Sequence, residues 1–521
     1  MAVFDAATEG RFTLHLRIDE RSAGFLALGI GKAGAGPAVV FCTSGTAVAN
    51  LHPAVLEAHH SRTPLLVLTA DRPAELHGTG ANQTVDQRGI FGSSAPCVDM
   101  PPAERRPGGN AVWRATVCRA AALATTGPVQ VNVPFRDPLV PGGDEDWPET
   151  LDGRNGPWTR WPTTTTTGTA ATGLAARTVV LVGDPLDRPD RITAAATAAA
   201  AAGWPVIAEP TGLAAARAGG AAVLNSGSLL VNAVNLPPEL RPDEVLVVGR
   251  PTLSRGFGAL SRNAARVVVL GDPDGWTDPQ RLATQVADHV DRASLPTPER
   301  GWLAGWLAAD AAAGAAVDQV LADRPWPTGE HVARDVLGAL PADAVLFLGS
   351  SNPVRFVDLA GRPGDRVIMA NRGVAGIDGS VSTAAGIAFG TNRPCYALLG
   401  DLTFLHDGNG LLIGPGEPRP DLTVVVINDD GGGIFALLEQ GAPAYAAAFE
   451  RMFGTPHGTD LAALCAAHRV PHVLVSDQDG LAAALAPAQG PRVVEVRMDR
   501  SVLRDSQARL FTAVRSAVGQ R

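Results

Sequence analysis

Lysine is almost absent from this chain: of 43 basic residues only Lys32 is lysine, and the rest are arginine. Schiff-base chemistry and a lysine-held pyridoxal cofactor therefore have a single candidate. Arginine suits bidentate binding of carboxylates, although genomic base composition produces the same skew. Cysteine is scarce as well. Cys42, Cys97, Cys118, Cys395 and Cys465 are scattered, odd in number and without paired metal spacing, which excludes a zinc site or a disulfide scaffold and points to reduced thiols. Positive charge is in deficit, with 52 acidic residues, a net charge of −9 and a pI near 5.7. No global field exists to attract nucleic acid or anionic lipid. No uninterrupted apolar run reaches the roughly 18 residues of a membrane span. Met1-Ala2-Val3-Phe4-Asp5 has no basic region leading into an apolar core. A cytoplasmic protein without a membrane span is expected.

Two short segments carry the strongest chemical signal. Gly400-Asp401-Leu402-Thr403 and Asn428-Asp429-Asp430-Gly431-Gly432-Gly433 each follow an apolar run, at 395–399 and 422–427, that reads as a buried parallel strand. Ligands of α/β sheets sit at the carboxyl ends of strands. An acid after each strand, with glycines that allow close backbone approach, suits a hard cation sharing its shell with phosphate oxygens. Either segment alone reads as ordinary turn chemistry. Together they make Asp401 and Asp429 candidate ligands of a magnesium-bound diphosphate.

At 521 residues and 45% apolar content the chain has room for about three domains. The first is expected over 1–142, with strands at 38–42, 65–69 and 129–133. A Pro/Gly/Asp-rich passage with a threonine run at 163–167 reads as a linker over 143–174. The second domain, 175–322, alternates strands at 179–182, 206–208, 245–248 and 267–270 with Ala-rich helices, and shows no catalytic set. The third, 323–521, has strands at 345–348, 367–369, 395–399, 422–427 and 493–496. The expected fold class is three consecutive α/β domains with parallel sheets.

The Gly-Asp…Asn-Asp order, with its acids 28 positions apart (401 to 429), resembles the cofactor signature of thiamine diphosphate enzymes. The resemblance implies a pyrimidine-binding first domain, a central domain and a diphosphate-binding third domain. It further implies Gly431 as donor of a ligating carbonyl, and cofactor contacts at Gly400, Leu402 and Thr403. Asp429 departs from the family's usual asparagine but keeps an oxygen. Arg17-Ile18-Asp19-Glu20-Arg21 is expected to close a strand-like run and open a helix. An acid there ordinarily just complements the helix dipole. The resemblance instead makes Glu20 the glutamate bonded to a pyrimidine ring nitrogen, which promotes formation of the cofactor carbanion. It also implies an obligate homodimer, or a homotetramer built from it.

A closer likeness is carried by Ile18–Phe25, Cys42–Asn50, Leu68–Pro73, Gly80–Thr84, Asn371–Gly379, Gly400–Asp407 and Gly431–Phe435. These resemble the 2-succinyl-5-enolpyruvyl-6-hydroxy-3-cyclohexene-1-carboxylate synthases of menaquinone biosynthesis. That family decarboxylates 2-oxoglutarate and adds the four-carbon unit to isochorismate. The resemblance implies that Arg72, Arg355, Arg372 and Arg255 bind substrate carboxylates. Asn82 and Gln83 would donate hydrogen bonds, with loop capping as their alternative role, and Ser351 would lie near the reacting carbons. Ile377 would bend the cofactor, and Ile434 and Phe435 would wall the substrate. Glu20, Gln83, Arg355 and Arg372 form the expected catalytic group, with Mg2+ or Mn2+ as the metal.

Other signals are discounted. Gly29-Ile30-Gly31-Lys32-Ala33-Gly34 matches a dinucleotide fingerprint but follows a helix and precedes a strand, and so reads as a helix stop. His59-His60 and His406-Asp407 lack a third partner and read as solvated or structural. The family's first strand and helix, with a Gly-Ser-Arg-Ser element, have no counterpart here, so an N-terminally truncated first domain is expected. Two alternatives stay open at this level: another thiamine diphosphate 2-oxo acid decarboxylase or synthase, and an inactive partner subunit. A simple FAD-binding variant has no supporting motif.

Overall fold

Among the described residues, apolar β-branched runs punctuated by glycine build three large parallel sheets, beside a two-stranded one. The computed structural model describes residues 2–34, 36–137, 139–140, 147–150, 158–160, 168–272 and 275–519. Most of the expected linker, including its threonine run, lies outside the described residues. Residues 168–174 are described, and Ala170–Ala171 pairs there with His289–Val290. The described chain divides into two compact units, the first comprising 1–165, 373–392 and 406–421 and the second the remainder.

In the first unit the strand order is Ala38–Cys42, Leu65–Asp71, Pro128–Pro134, Cys97–Asp99, all parallel. Cys97–Asp99 was not expected: it is three residues long and neither of its ends is strongly apolar. The strand-like run before Arg17 is not a strand, and the helix Glu20–Lys32 begins directly with Asp19 as its cap, whose carboxylate accepts from the amides of Arg21 and Ser22. Gly29 and Gly31, discounted as a helix stop, lie inside this helix. A Cβ on Gly29 would stand 2.1 Å from the Thr383 carbonyl oxygen, and one on Gly386 would stand 2.1 Å from that of Leu26. These glycines let Glu20–Lys32 and Ser380–Thr391 touch backbone to backbone. Asp407 is fully buried beside them, accepting from the Ser382 amide at 2.7 Å, the Ser382 hydroxyl at 3.1 Å and the Ser22 hydroxyl at 3.3 Å. The sequence reading missed these partners because both serines lie far from Asp407 in the chain.

Besides that two-stranded pair, the second unit holds two larger sheets. The five-stranded one runs Gln285–Ala287, Arg266–Leu270, Glu244–Val248, Thr178–Val182, Val206–Ala208. Val179, Leu181, Val245, Val247, Val267 and Val269 pack into one core, and Val180, Val182, Leu246, Val248, Val268 and Leu270 into another. Such alternation buries both faces, as a parallel sheet requires. Each buried Val or Leu contributes roughly 1.5–3 kcal/mol. The six-stranded sheet runs Val367–Ala370, Val345–Leu348, Cys395–Gly400, Leu422–Asn428, Arg492–Arg497, His472–Val475. Gly400 pairs with Ile427, so both candidate ligand turns leave adjacent central strands at the carboxyl end of the sheet. Strand His472–Val475 escaped the sequence reading because it is an edge strand with half-exposed Val473 and Leu474. Among the described residues no helix is long and apolar enough to cross a membrane.

Candidate active site

The end of strand Cys395–Gly400 delivers Asp401 as the first residue of helix Asp401–His406, where the helix dipole favours negative charge. Asp401 is 2% exposed. Its Oδ1 accepts from the Leu402 amide at 2.6 Å, and its Oδ2 from the Gly431 amide at 2.8 Å. The neighbouring strand ends at Asn428, whose side-chain amide donates to the buried Glu495 at 2.8 Å and whose Oδ1 accepts from the Asp430 amide at 3.1 Å. Asp429 is thereby held inward at 9% exposure. Burial, and then repulsion by Asp401, push its carboxyl up to about 8, and burial also raises Asp401. Two buried carboxylates that repel each other are what a divalent cation would relieve.

Gly431 has φ +140°, and a Cβ there would fall 1.9 Å from the Gly454 carbonyl oxygen, so only glycine fits the turn. The set of two carboxylates and one backbone carbonyl matches a metal that takes its remaining ligands from a diphosphate. Among the described residues no group of three or more His, Cys, Asp or Glu side chains is arranged to hold a metal by itself.

Two residues of this region escaped the sequence reading. His457 Nδ1 accepts from the Thr459 amide at 2.9 Å, so its proton sits on Nε2, which lies 3.2 Å from Asp401 Oδ2. Arg500 donates through Nη1 to the carbonyls of Asp429 and Asp430 at 2.7 and 2.5 Å. Both approach from more than 50 positions along the chain, and no local pattern announces either.

Elsewhere in the second unit the expected carboxylate binders converge. Arg372 is 4% exposed. Its Nε donates to the Thr252 hydroxyl at 3.0 Å and its Nη1 to the Ser350 hydroxyl at 3.4 Å. Arg355 is half-buried on helix Asn352–Ala360 and donates to the Ser351 carbonyl at 2.6 Å. Burial, and then repulsion by Arg372 and Arg255 among its neighbours, lower its pKa. Three arginines close enough to repel form a cationic cluster that Asp358 and Glu209 offset in part. Arg255 opens helix Arg255–Asn263, and Ser351 caps Asn352–Ala360 with φ +75°. Ile434 and Phe435 are half-buried in the turn Gly433–Leu437, with the Phe435 ring centroid 5.6 Å from that of Phe453.

In the first unit Glu20 is half-buried at the start of its helix, and its charge adds to the burial that lifts the Cys42 thiol to about 12. Gln83 has φ +57°, and its amide donates to the Thr43 hydroxyl at 3.1 Å and the Ser44 carbonyl at 2.9 Å. It caps the 43–45 loop, and Asn82 beside it is exposed. Arg72 is half-buried, and its carbonyl lies 2.9 Å from His77 Nε2. Ile377 is half-buried before Gly379, where a Cβ would enter the Phe25 ring.

Comparison with known proteins identifies the family. The family described as "Thiamine pyrophosphate enzyme, N-terminal TPP binding domain" matches residues 1–90, and its C-terminal TPP binding counterpart matches 354–496. The 2-succinyl-5-enolpyruvyl-6-hydroxy-3-cyclohexene-1-carboxylate synthase of Saccharopolyspora erythraea is 50% identical, over 99% of this chain and 93% of its own length. The synthases of Rhodococcus erythropolis and Thermobifida fusca are each 46% identical, covering 96% and 98% of this chain and 91% and 92% of their own. Full-length identity at this level, joined to both thiamine diphosphate domains, means that this chain belongs to the 2-succinyl-5-enolpyruvyl-6-hydroxy-3-cyclohexene-1-carboxylate synthase family of thiamine diphosphate enzymes.

Proposed function

We propose that this chain decarboxylates 2-oxoglutarate and adds the four-carbon unit in a 1,4 sense to isochorismate, giving 2-succinyl-5-enolpyruvyl-6-hydroxy-3-cyclohexene-1-carboxylate for menaquinone biosynthesis. The observation that carries this reading is the arginine group Arg355, Arg372 and Arg255 in a chain 50% identical to a synthase of that name. Both substrates are dicarboxylates, and a decarboxylase of small 2-oxo acids has no use for so cationic a pocket.

Thiamine diphosphate, when bound, supplies the carbanion that attacks a 2-oxo acid and the electron sink for loss of carbon dioxide. Asp401, Asp429 and the Gly431 carbonyl would hold Mg2+ or Mn2+, and Gly400, Leu402 and Thr403 would line the diphosphate. Glu20 would share a proton between its carboxyl and a pyrimidine ring nitrogen. Ile377 would support the cofactor's bend through apolar contact. Arg72, Arg255, Arg355 and Arg372 would bind and orient substrate carboxylates, with Gln83, Asn82 and Ser351 as hydrogen-bonding groups. Ile434 and Phe435 would exclude water from the reacting carbons. The working form is a cytoplasmic homodimer or homotetramer, with no nucleic-acid partner.

Incubation of the full chain with thiamine diphosphate, Mg2+, 2-oxoglutarate and isochorismate tests this directly. Cofactor-dependent loss of isochorismate, abolished by Glu20→Gln, is the expected result. Carbon dioxide release without isochorismate consumption would instead identify a decarboxylase.

A further inference from the structure

The middle segment, which shows no catalytic set of its own, carries a buried carboxylate aimed at the arginine group. Glu209 follows strand Val206–Ala208 and is 1% exposed. It accepts the backbone amides of three consecutive residues: Thr252 at 2.9 Å, Leu253 at 2.6 Å and Ser254 at 3.1 Å. The Thr252 hydroxyl donates to the same carboxylate at 3.3 Å and accepts from Arg372 Nε at 3.0 Å. An unbroken path thus runs from carboxylate to hydroxyl to guanidinium. The loop that Glu209 gathers leads directly into Arg255, the first residue of its helix.

A purely structural role would need only the amides. Three amide donors already satisfy a buried carboxylate, yet the Thr252 side chain spends its one donor on Glu209 and so turns an acceptor lone pair toward Arg372. Burial raises the pKa of Glu209, while the amides and Arg372 pull it back. Its charge reaches further, because burial and then Glu209 push Asp358 up to about 7 on the helix that also carries Arg355.

We propose that Glu209 and Thr252 are positioning residues for substrate carboxylate binding: Glu209 orients the Thr252 hydroxyl, and that hydroxyl fixes the Arg372 guanidinium in the plane a carboxylate requires. The middle domain is then part of the specificity apparatus. This inference rests on the reading of Arg372 as a carboxylate binder. Bidentate recognition needs the guanidinium plane held in place, and the bonds from Nε to Thr252 and from Nη1 to Ser350 hold it.

Thr252→Val removes the hydroxyl and leaves all three amides on Glu209, so it separates positioning from folding. Steady-state kinetics for both substrates should be compared among the parent, Arg372→Ala, Thr252→Val, Thr252→Ser and Glu209→Gln, with melting temperature and thiamine diphosphate affinity measured for each. Thr252→Val is expected to raise, about tenfold, the same KM that Arg372→Ala raises, with melting temperature and cofactor affinity unmoved. Thr252→Ser should restore the parent value, and Glu209→Gln should raise that KM further. A parent-like KM in Thr252→Val would overturn the proposal, as would a Thr252→Ser variant no better than Thr252→Val. A rise in KM accompanied by loss of cofactor affinity and of melting temperature would reduce Glu209 and Thr252 to structural residues. If Arg372→Ala leaves both KM values unchanged, the carboxylate reading itself fails and takes this inference with it.

Discussion

The proposed metal end and the arginine group of the second unit are built in opposite ways. Asp401, Asp429 and Gly431 leave two neighbouring strands whose register places Gly400 beside Ile427. Two short segments therefore contain nearly the whole of the proposed cation site. Arg372, Arg355, Arg255, Thr252, Ser350 and Glu209 come from two different sheets and four separate segments. A hard cation needs a few oxygens at one strand edge, which parallel topology supplies almost without cost. The proposed recognition of two dicarboxylates needs directional donors from several sides, and only convergence of distant elements provides them.

The largest effect should come from the compact end. Asp401→Ala removes a ligand and leaves Gly431 without its side-chain acceptor. Metal affinity, read by calorimetry with Mg2+ and thiamine diphosphate, should fall by more than the roughly 100-fold that outer-shell changes cost. A variant that keeps parent affinity would show that the compact end is not the metal site.

Arg372→Ala tests the dispersed end. Removal of one buried cation should cost about 2–4 kcal/mol, roughly 30- to 1,000-fold in the KM of its substrate, with metal affinity unchanged. Loss of metal affinity as well would merge the two regions into one coupled network.

Asp407, a buried carboxylate outside both regions, isolates burial from site chemistry. Burial pushes its carboxyl up to about 6. Because the folded-state value lies above the unfolded one near 4, the native state holds that proton more tightly. Its stabilising contribution is full below about pH 4 and is lost as pH rises through about 6. Asp407→Asn, which cannot ionise, should therefore gain on the parent by about 3 kcal/mol between pH 4 and pH 8. Parallel denaturation profiles across that range would show that folding does not raise the Asp407 pKa.

The smallest effect concerns His457, the outer-shell donor to Asp401. His457→Ala should weaken metal binding about tenfold and leave KM for both substrates in place once metal is saturating. An unchanged metal affinity would show the Asp401 contact to be incidental.

Legibility followed the same division. The three sheets and the Asp401 and Asp429 turns were readable because strand runs and glycine-acid turns are local patterns. Glu20 was marked by resemblance alone, since an acid in a first helical turn is otherwise unremarkable. Strands Cys97–Asp99, Gln285–Ala287 and His472–Val475 were missed because short or edge strands carry little apolar periodicity. The fingerprint-like glycines at 29 and 31 are packing glycines: Gly29 meets a helix some 350 residues away, and Gly31 meets Thr63 and Pro64. Asp407 lacked partners on paper and has Ser22 and Ser382 in the fold.

By itself the sequence determined the α/β class, the poverty of lysine that leaves anion binding to arginine, and the acids and glycines that end two central strands, because each is a property of neighbouring residues. The tertiary structure alone decided that Asp401 and Asp429 repel each other across a strand pair, that His457 and Arg500 attend them, and that Glu209 reaches Arg372 through Thr252. Charge repulsion, desolvation and hydrogen-bond relays act through space over a few ångströms, and chain order carries no measure of that distance.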